Sequence, residues 1–354
     1  MAGLTRREFV RAAAGSAAGL VAAGGMARVK AAEGGGGWTP GKKINPAIDN
    51  LRVACGANPS MLTGDPTAWD MAAQNAVVVA AQVERTLDAM AVSLAQKAEP
   101  AAAWAAILRK PEAKNWSGVR VAIKVNCLGK TFPRVAIVGK VCQEIIRLGV
   151  PAESIVVYDG QSNALPLYGA FVGKGLPDSV VVSDRHKALG GRTPAPVPEP
   201  YPGQFECTAD VAAGKIDILV NIGTNKGHSD EFGGTTLSLK NHAGTFKPAP
   251  LHMGGGMDYL LAINKSEAIL GGDPVRQQLC IIDSLWGGLK GPGELPIKRL
   301  DRLVMGVFGP AVDYLTAKKI REPMLDTKHP NIERFLTEFG YEPSQMGDLV
   351  QAAL

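Results

Sequence analysis

Apolar residues in this chain alternate between short β-branched runs and longer stretches with helical spacing. The runs at 119–125, 154–158 and 216–222 predict buried strands. Between the first two runs, apolar residues recur three or four positions apart over 135–148, which predicts a helix that ends at Gly149. Strand, helix and strand in this order indicate a βαβ unit, in which the two strands are parallel and the crossover is right-handed.

The same alternation continues on both sides of this unit. It predicts helices at 68–95, 101–108, 257–266, 311–320 and 332–339, and strands at 179–183, 279–282 and 303–308. We therefore expect an α/β fold with a mostly parallel sheet flanked by helices, and the repeated alternation favours two similar halves. Gly and Pro are dense over 165–203, which favours a long connection where two lobes of one domain meet.

The N-terminal residues carry a different pattern. Arg6 and Arg7 precede an uncharged apolar run over 12–26, and small residues suited to cleavage follow it. This arrangement is similar to a twin-arginine export signal, and the run is shorter than the ~20 residues of a membrane span. We predict a twin-arginine signal peptide over 1–32, use of the twin-arginine export machinery, a periplasmic or otherwise exported protein, and no membrane span after cleavage. The alternative is an ordinary basic N-terminus.

Composition narrows the class of partner. The chain has 354 residues, 46% of them apolar and 20% charged, which is ordinary for a globular protein. Its formal net charge of +5 comes largely from the predicted signal, so we expect a nearly neutral mature protein that does not bind nucleic acid. The Gly- and Pro-rich residues at 33–50 predict a flexible linker, followed by a single domain over 51–354.

The five cysteines are spread along the chain without a Cys-x-x-Cys pair, so they give no pattern for a zinc ribbon or a ferredoxin-type iron–sulfur cluster. An odd number leaves at least one thiol unpaired even if disulfides form in an oxidising compartment. We expect most of the five to be small buried side chains.

Polar residues follow the predicted strands where each strand ends. Lys124 and Asn126 close one strand, Asp159 follows the next, and Asp283 follows a later one. Because ligands of open α/β sheets bind beyond the carboxyl ends of the strands, we expect these groups along one edge. Lys124 lies inside a β-branched run, where removing its charged amine from water is costly. This position favours a bound anion, or a partner carboxylate such as Asp159, that compensates the charge. The simpler interpretation makes Lys124 an edge lysine and Asp159 a turn residue.

The segment 225–244 combines basic, amide and glycine residues more densely than the rest of the chain. It follows a predicted strand and contains two Lys-x-His triplets, Lys226 to His228 and Lys240 to His242. The glycines between the triplets would let backbone amides approach an anion, and they favour an anion cradle. For either histidine alone, a surface or a core residue is the simpler interpretation.

Candidate roles follow from this arrangement. The candidate catalytic residues are Lys226, His228 and Lys240. The candidate metal ligands are His228 and His242, although their spacing matches no standard zinc motif. The candidate cofactor-binding residues are Lys124, Asn126, Asp159, Gly234, Asn241 and Gly244. The spacing identifies no particular cofactor.

These residues together resemble one known family. The resemblance rests on Lys124-Val125-Asn126, Asp159-Gly160, Lys226-Gly227-His228, the element Leu-Lys-Asn-x-x-Gly at 239–244, Asp283 and Asp313. Over about 119–320 the chain is similar in these positions to domain-of-unknown-function family 362 (DUF362). That family usually has Lys-Pro-Asn and Lys-Thr-His in the two triplets that contain Lys124 and His228. Some of its members carry ferredoxin-like iron–sulfur segments, whose cysteine pattern this chain lacks.

The resemblance implies no established activity, so the expected function follows from the residue types. We expect a protein that binds a metal, or an anionic cofactor or substrate, at a site lined by Lys, His and Asn, and that performs redox or acid–base chemistry there. The alternative is a non-catalytic periplasmic binding protein for a small anionic molecule.

Overall fold

The β-branched runs form the central strands of one mixed sheet in the computed structural model, which describes residues 37–291, 295 and 297–354. The predicted signal peptide lies outside the described residues. The strands are β1 (Val53–Ala57), β2 (Val121–Val125), β3 (Ile155–Tyr158), β4 (Val181–Val182), β5 (Arg192–Val197), β6 (Gly203–Thr208), β7 (Ile218–Gly227), β8 (Thr235–Thr236), β9 (Gln277–Gly288), β10 (Ile297–Gly306) and β11 (Val350–Gln351). The α-helices are α1 (Met71–Ala76), α2 (Ala80–Ala95), α3 (Pro100–Ile107), α4 (Val135–Arg147), α5 (Leu165–Tyr168), α6 (Ala209–Ala212), α7 (Ser238–Asn241), α8 (Gly256–Lys265), α9 (Gly309–Thr316), α10 (Glu322–Leu325) and α11 (Arg334–Thr337).

Strand order confirms the predicted fold class. Within the described residues, eight strands lie in the order β11-β1-β10-β9-β7-β2-β3-β4, and β8 pairs with the end of β7. The strands β9, β7, β2, β3 and β4 are parallel neighbours, whereas β10 lies antiparallel between β9 and β1. A separate antiparallel pair is formed by β5 and β6. The fold is therefore α/β with a mostly parallel sheet flanked by helices.

The predicted βαβ unit is formed by β2, α4 and β3. Helix α4 buries Val138, Val141, Cys142 and Ile145 completely, which is the apolar stripe that the spacing predicted. Burial of each Val and Ile side chain in this stripe stabilises the packing by roughly 1.5–3 kcal/mol. Because the crossover is fixed by this stripe, the ends of β2 and β3 lie side by side, with Lys124 paired to Tyr158 in register.

The single helix predicted over 68–95 is wrong, because the structure divides it into α1 and α2. Asp70 caps α1 by accepting from the Ala73 N–H at 2.9 Å. Between the helices, the Val77 carbonyl accepts from Thr63 and the Val79 N–H donates to Met61, both at 2.9 Å. These contacts with a distant segment replace helical hydrogen bonds in a β-branched stretch with low helix propensity, and apolar spacing alone does not show them.

Two central strands extend further than the sequence predicted. Strand β7 continues to Gly227, because β8 folds back and pairs Thr236 with Lys226. Strand β9 likewise continues to Gly288, beyond the predicted end at 282. As a result Lys226 is a strand residue, and only the later part of the segment 225–244 is loop and helix.

The remaining elements differ from the predictions mainly at their ends. Helix α9 begins at Gly309 with Pro310 in its first turn, and wider turns continue it to Arg321. The strand predicted over 179–183 is reduced to β4, and the helix predicted over 332–339 to α11. Among the described residues, no helix combines the length and the apolar character needed to cross a membrane.

Residues at the beginning of the described chain pack against the α/β domain. Trp38 is 8% exposed, its indole stacks 5.1 Å from the ring of Phe308, and its Nε1–H donates to the Phe339 carbonyl at 2.9 Å. Ile44 and Ile48 are also buried. The described part of the predicted linker is therefore packed on the core.

Trp38→Ala tests this packing. We expect a loss of about 3–5 kcal/mol in the free energy of unfolding, because a large buried aromatic side chain is removed. Urea denaturation measures it, with Trp116→Ala as the control, since Trp116 is partly exposed and should cost less. A loss below about 1 kcal/mol for Trp38→Ala would restore the flexible-linker interpretation.

Candidate functional site

A buried ion pair joins the carboxyl ends of β2 and β3. Lys124, 1% exposed, donates from Nζ to Asp159 Oδ1 at 3.1 Å and to Asn241 Oδ1 at 2.9 Å. Its third bond goes to the Val125 carbonyl at 2.7 Å. Asp159 also accepts from the Cys127 N–H at 2.7 Å. Because every amine proton of Lys124 has a protein acceptor, the charge is compensated by the predicted partner carboxylate and not by a ligand.

A second layer of the same network includes His242. Asn241 Nδ2 donates to Asn221 Oδ1 at 2.8 Å. The fully buried His242 ring lies 3.1 Å from Thr245 Oγ1 through Nδ1, and its Nε2 contacts Gln277 Oε1. Burial lowers the pKa of His242 to about 3, so the ring is neutral at physiological pH. Since both ring nitrogens have protein partners, His242 is a core residue with no nitrogen free for a metal.

The carboxylate of Asp313 on α9 fixes the start of α7. It accepts from the Ser238 N–H at 2.8 Å and from the Leu239 N–H at 2.9 Å. These are amide groups without partners inside the helix, so the carboxylate both anchors and caps α7. With its start fixed, α7 directs Asn241 toward Lys124 and Lys240 toward the edge of the sheet.

Glycine at position 244 makes room for the ion pair. A Cβ on Gly244 would lie 2.7 Å from Asp159 Oδ1 and 2.8 Å from Lys124 Cε. A Cβ on Gly160 would overlap the Gly244 carbonyl and the His186 ring. The Leu-Lys-Asn-x-x-Gly element therefore serves the Lys124–Asp159 pair, because its Asn accepts from the lysine and its Gly leaves the necessary space.

Lys226 is buried without an ionic partner. Its side chain is fully buried and donates to Asn126 Oδ1 at 2.7 Å and to the Leu128 carbonyl. Both acceptors are neutral, and in the described part of the chain no carboxylate lies within ion-pair distance of its amine. Burial lowers the pKa of Lys226 to about 7, so both protonation states are populated near neutral pH.

Lys240 and His228 meet at the edge of the sheet. Lys240 Nζ lies 5.0 Å from the centre of the Phe232 ring, and the His228 ring packs edge-on against the same ring at 4.7 Å. His252 stacks 6.4 Å from His228. Burial lowers the pKa of Lys240 to about 8, and burial and the charge of Lys240 lower that of His228 to about 3. We call Lys240, His228, Phe232 and His252 the rim cluster.

The hydrogen bonding of His228 fixes the position of its proton. The Ser229 backbone N–H donates to His228 Nδ1 at 2.8 Å, and since an N–H only donates, Nδ1 carries the lone pair. The proton of the neutral ring is therefore on Nε2. An Nε2–H group suits an anion or another acceptor, whereas a metal ion would need a lone pair at that nitrogen.

The Gly233–Gly234 turn is closed by the protein itself. Both glycines have a left-handed backbone, with φ of 75° and 71°. Their N–H groups donate to the Asp230 carbonyl at 3.0 Å and the Ser229 carbonyl at 3.1 Å. The turn brings β8 back along β7, and its amides point to protein oxygens instead of forming the anion cradle that the sequence favoured.

A depression of about 300 Å³ adjoins the rim cluster. Its walls are Glu231, the segment 254–257, Asp258, Asn331 and Arg334. Asp258 and Arg334 form an ion pair at 2.7 Å in this wall. The volume is at the lower end of the range for small-ligand sites, and Glu231 and the segment 254–257 connect it in sequence to Phe232 and His252.

Two buried arginines near the strand ends were missed by the sequence interpretation. Arg134 donates from Nε to Asp283 Oδ2 at 3.0 Å and lies 4.7 Å from the Trp286 ring. Arg321 donates to the Gly288 carbonyl at 3.1 Å, and burial lowers its pKa to about 10. The sequence could have indicated Arg134, because this arginine directly precedes an apolar helix and Asp283 at a strand end offers a carboxylate partner. The charged stretch that contains Arg321 gave none.

The two histidines assigned as metal ligands lie in different environments. His242 is in the core, and His228 belongs to the rim cluster. Within the residues that the structure describes, no group of three or more His, Cys, Asp and Glu side chains is placed to hold a metal ion. All five cysteines are free and buried, whereas the sequence led us to expect burial of most of them. Burial raises the pKa of the Cys127 thiol, so that it stays protonated.

Gly244→Ala should destabilise the protein by about 1–3 kcal/mol, because the added methyl group forces the Lys124–Asp159 pair apart. Urea unfolding measures the change. The matched control is Gly347→Ala, since a Cβ there meets nothing within 4 Å. Equal stability of the two variants would show that the space beside the ion pair does not require glycine.

Comparison with known proteins leaves the site to be interpreted from its own geometry. No protein-family model, curated protein or solved structure matches the chain. The resemblance to DUF362 therefore stays a prediction.

Proposed function

We propose that this is an exported α/β protein that binds a small anionic molecule at the rim cluster and uses Lys240 to transfer a proton there. The amine of Lys240 carries this proposal. It is largely removed from water over the face of Phe232, and the carboxylate of Glu231, which raises its pKa, forms no ion pair with it, so the effect of burial prevails. An anion would supply the missing counter-charge, and a pKa of about 8 lets the amine donate or accept a proton near neutral pH.

The neighbours of Lys240 support an anionic ligand. His228 presents an Nε2–H donor from a neutral ring, so it adds a hydrogen bond without adding a second charge. His252 stacks on His228 and packs edge-on against the Phe232 ring at 5.4 Å, and burial and the charge of Lys240 lower its pKa as well. The adjoining depression gives room for the remainder of a small molecule.

A non-catalytic binding protein is the second candidate, and one observation favours it. Lys124 bonds to Asp159 and Asn241, and His242 contacts the side chains of Thr245 and Gln277. Lys124, Asp159, Asn241 and His242 are therefore not free for chemistry at the edge of the sheet. Fewer reactive groups remain than the sequence predicted. Binding needs only the charge of Lys240 and the donor of His228.

We also propose that the chain is a member of DUF362. The residues of the resemblance support this proposal because several of them form one connected network: Lys124 and Asp159 pair, Asn241 and Gly244 accommodate the pair, and Asp313 anchors the helix that carries Asn241. Such mutual dependence gives a physical reason for these residue types to occur together.

Binding of an anion should depend on Lys240 and on pH. We expect Lys240→Met to weaken the binding of a carboxylate about 10–100-fold, because a charge-assisted hydrogen bond is lost. In the unmodified protein the affinity should be constant below pH 8 and fall by about tenfold per pH unit above it, since only the ammonium form attracts the anion. Isothermal titration with the tightest carboxylate from a thermal-shift screen measures both effects.

Two control variants accompany this experiment. Lys240→Arg keeps a charge that does not titrate in this range, so it should bind with little pH dependence. Lys97→Met removes an exposed lysine elsewhere and should change nothing. Incubation of the bound ligand in D₂O then separates the two functions. If a ligand C–H hydrogen is replaced by deuterium only when Lys240 is present, proton transfer is supported. Binding without this exchange supports the non-catalytic binding protein.

The export proposal is tested by replacing both Arg6 and Arg7 with lysine. In a bacterium that has the twin-arginine pathway, we expect the unmodified protein in the periplasm and the double variant in the cytoplasm, because that pathway reads the arginine pair. Cell fractionation and immunoblotting measure the distribution. If the double variant stays in the periplasm, another export route operates. If the unmodified protein stays in the cytoplasm, the N-terminal residues are not an export signal.

A further inference from the structure

Buried donors without partners collect on one face of the carboxyl end of β7. Thr224 and Lys226 are two positions apart in β7, so their side chains point to the same face. Thr236 on β8 lies opposite Lys226 in register. The hydroxyl groups of Thr224 and Thr236 are buried and have no hydrogen-bond partner in the described part of the chain.

Arg134 adds a cation to the same face. Thr224 pairs in register with Asp283 of β9, and Asp283 Oδ2 accepts from the Arg134 N–H at 2.9 Å and from its Nε at 3.0 Å. The guanidinium is fully buried, yet its Nη2 group has no partner among the described residues. Thr131, three positions earlier, likewise has a buried hydroxyl without a partner there.

Charges in this interior do not balance. Arg134 is compensated by Asp283, and Lys124 by Asp159. Lys226 has only the neutral oxygens of Asn126 and Leu128, which take two of its three amine protons. We call Lys226, Arg134, Thr131, Thr224 and Thr236 the interior donor group. It carries one positive charge in excess and four polar atoms whose hydrogen bonds are not made.

We propose that the interior donor group binds a small oxyanion, at a site separate from the rim cluster. Ammonium and guanidinium groups only donate hydrogen bonds, and hydroxyl groups can donate, so their common partner is an acceptor with several oxygens. A negative charge also neutralises Lys226, which water cannot do, and an unpaired buried charge is costly. A metal cation is disfavoured because the cations of the site would repel it.

Sulfate is the probe, because it stays a dianion throughout the pH range used and the pH dependence therefore reports the protein. All measurements use the Lys240→Met background, so that anion binding at the rim cluster is weakened about 10–100-fold. At equal ionic strength set with sodium chloride, sulfate should raise the melting temperature and give a saturable isothermal titration. Adding Lys226→Met should weaken sulfate binding about 10–100-fold, and Thr236→Val should weaken it less.

The pH dependence gives a second readout. The charged and titratable groups that face Lys226 are Arg134, Asp283, Lys124, Asp159 and the buried Cys127 thiol. Burial lowers the pKa of Lys226 to about 7, so sulfate affinity should be constant below pH 7 and fall by about tenfold per unit above it. This fall should disappear in Lys226→Met.

The stability of each variant without sulfate is measured separately, so that a loss of binding can be distinguished from a failure to fold. Since the unfolded chain holds the Lys226 proton more tightly than the folded one, Lys226→Met should raise the urea midpoint at pH 6, and the gain should fade toward pH 10. Thr236→Val should fold normally, because its hydroxyl makes no bond within the described chain. Equal sulfate affinity with and without Lys226→Met would overturn the proposal, as would the absence of saturable binding by the folded protein at pH 6. Water molecules would then be the partners of these buried donors.

Discussion

The buried Lys124–Asp159 ion pair is the constraint on which the arrangement of the strand ends depends. An ion pair removed from water is tolerated only when its remaining hydrogen-bonding positions are filled, and loss of one partner commonly costs about 3–5 kcal/mol. The chain meets this requirement from three places, the end of β2, the end of β3 and helix α7, and Gly244 leaves the space that the pair occupies. Helix α7 in turn keeps its place through Asp313.

This requirement divides the polar residues into two groups. Lys124, Asp159 and Asn241 form one hydrogen-bonded group, and His242 beside it has its partners in Thr245 and Gln277. Lys226 and Lys240 belong to the same segment of sequence, but neither forms an ion pair with a carboxylate in the described chain. The first group fixes where these two amines lie, so the site is built on secondary structure.

Local patterns predicted the fold better than they predicted the site. The β-branched runs and the helical spacing of α4 predicted the parallel centre of the sheet, because strands that are buried on both faces appear in the sequence as continuous apolar runs. The break between α1 and α2 and the return of β8 along β7 depend on hydrogen bonds to distant residues, which leave no such mark. For the same reason the sequence placed Lys226 and Gly234 in a ligand-binding loop, whereas one lies in a strand and the other closes its hairpin.

The two lysines show why the compensation of a charge matters more than its position in a motif. Lys240 is stabilised by the face of Phe232 and remains partly exposed, so it can exchange an anion with solvent. Lys226 is stabilised only by two neutral oxygens and is fully buried, so a counter-ion there would be resident rather than transient. One segment thus places two similar amines in settings that favour different uses, exchange of a ligand at the rim cluster and retention of an oxyanion in the interior donor group.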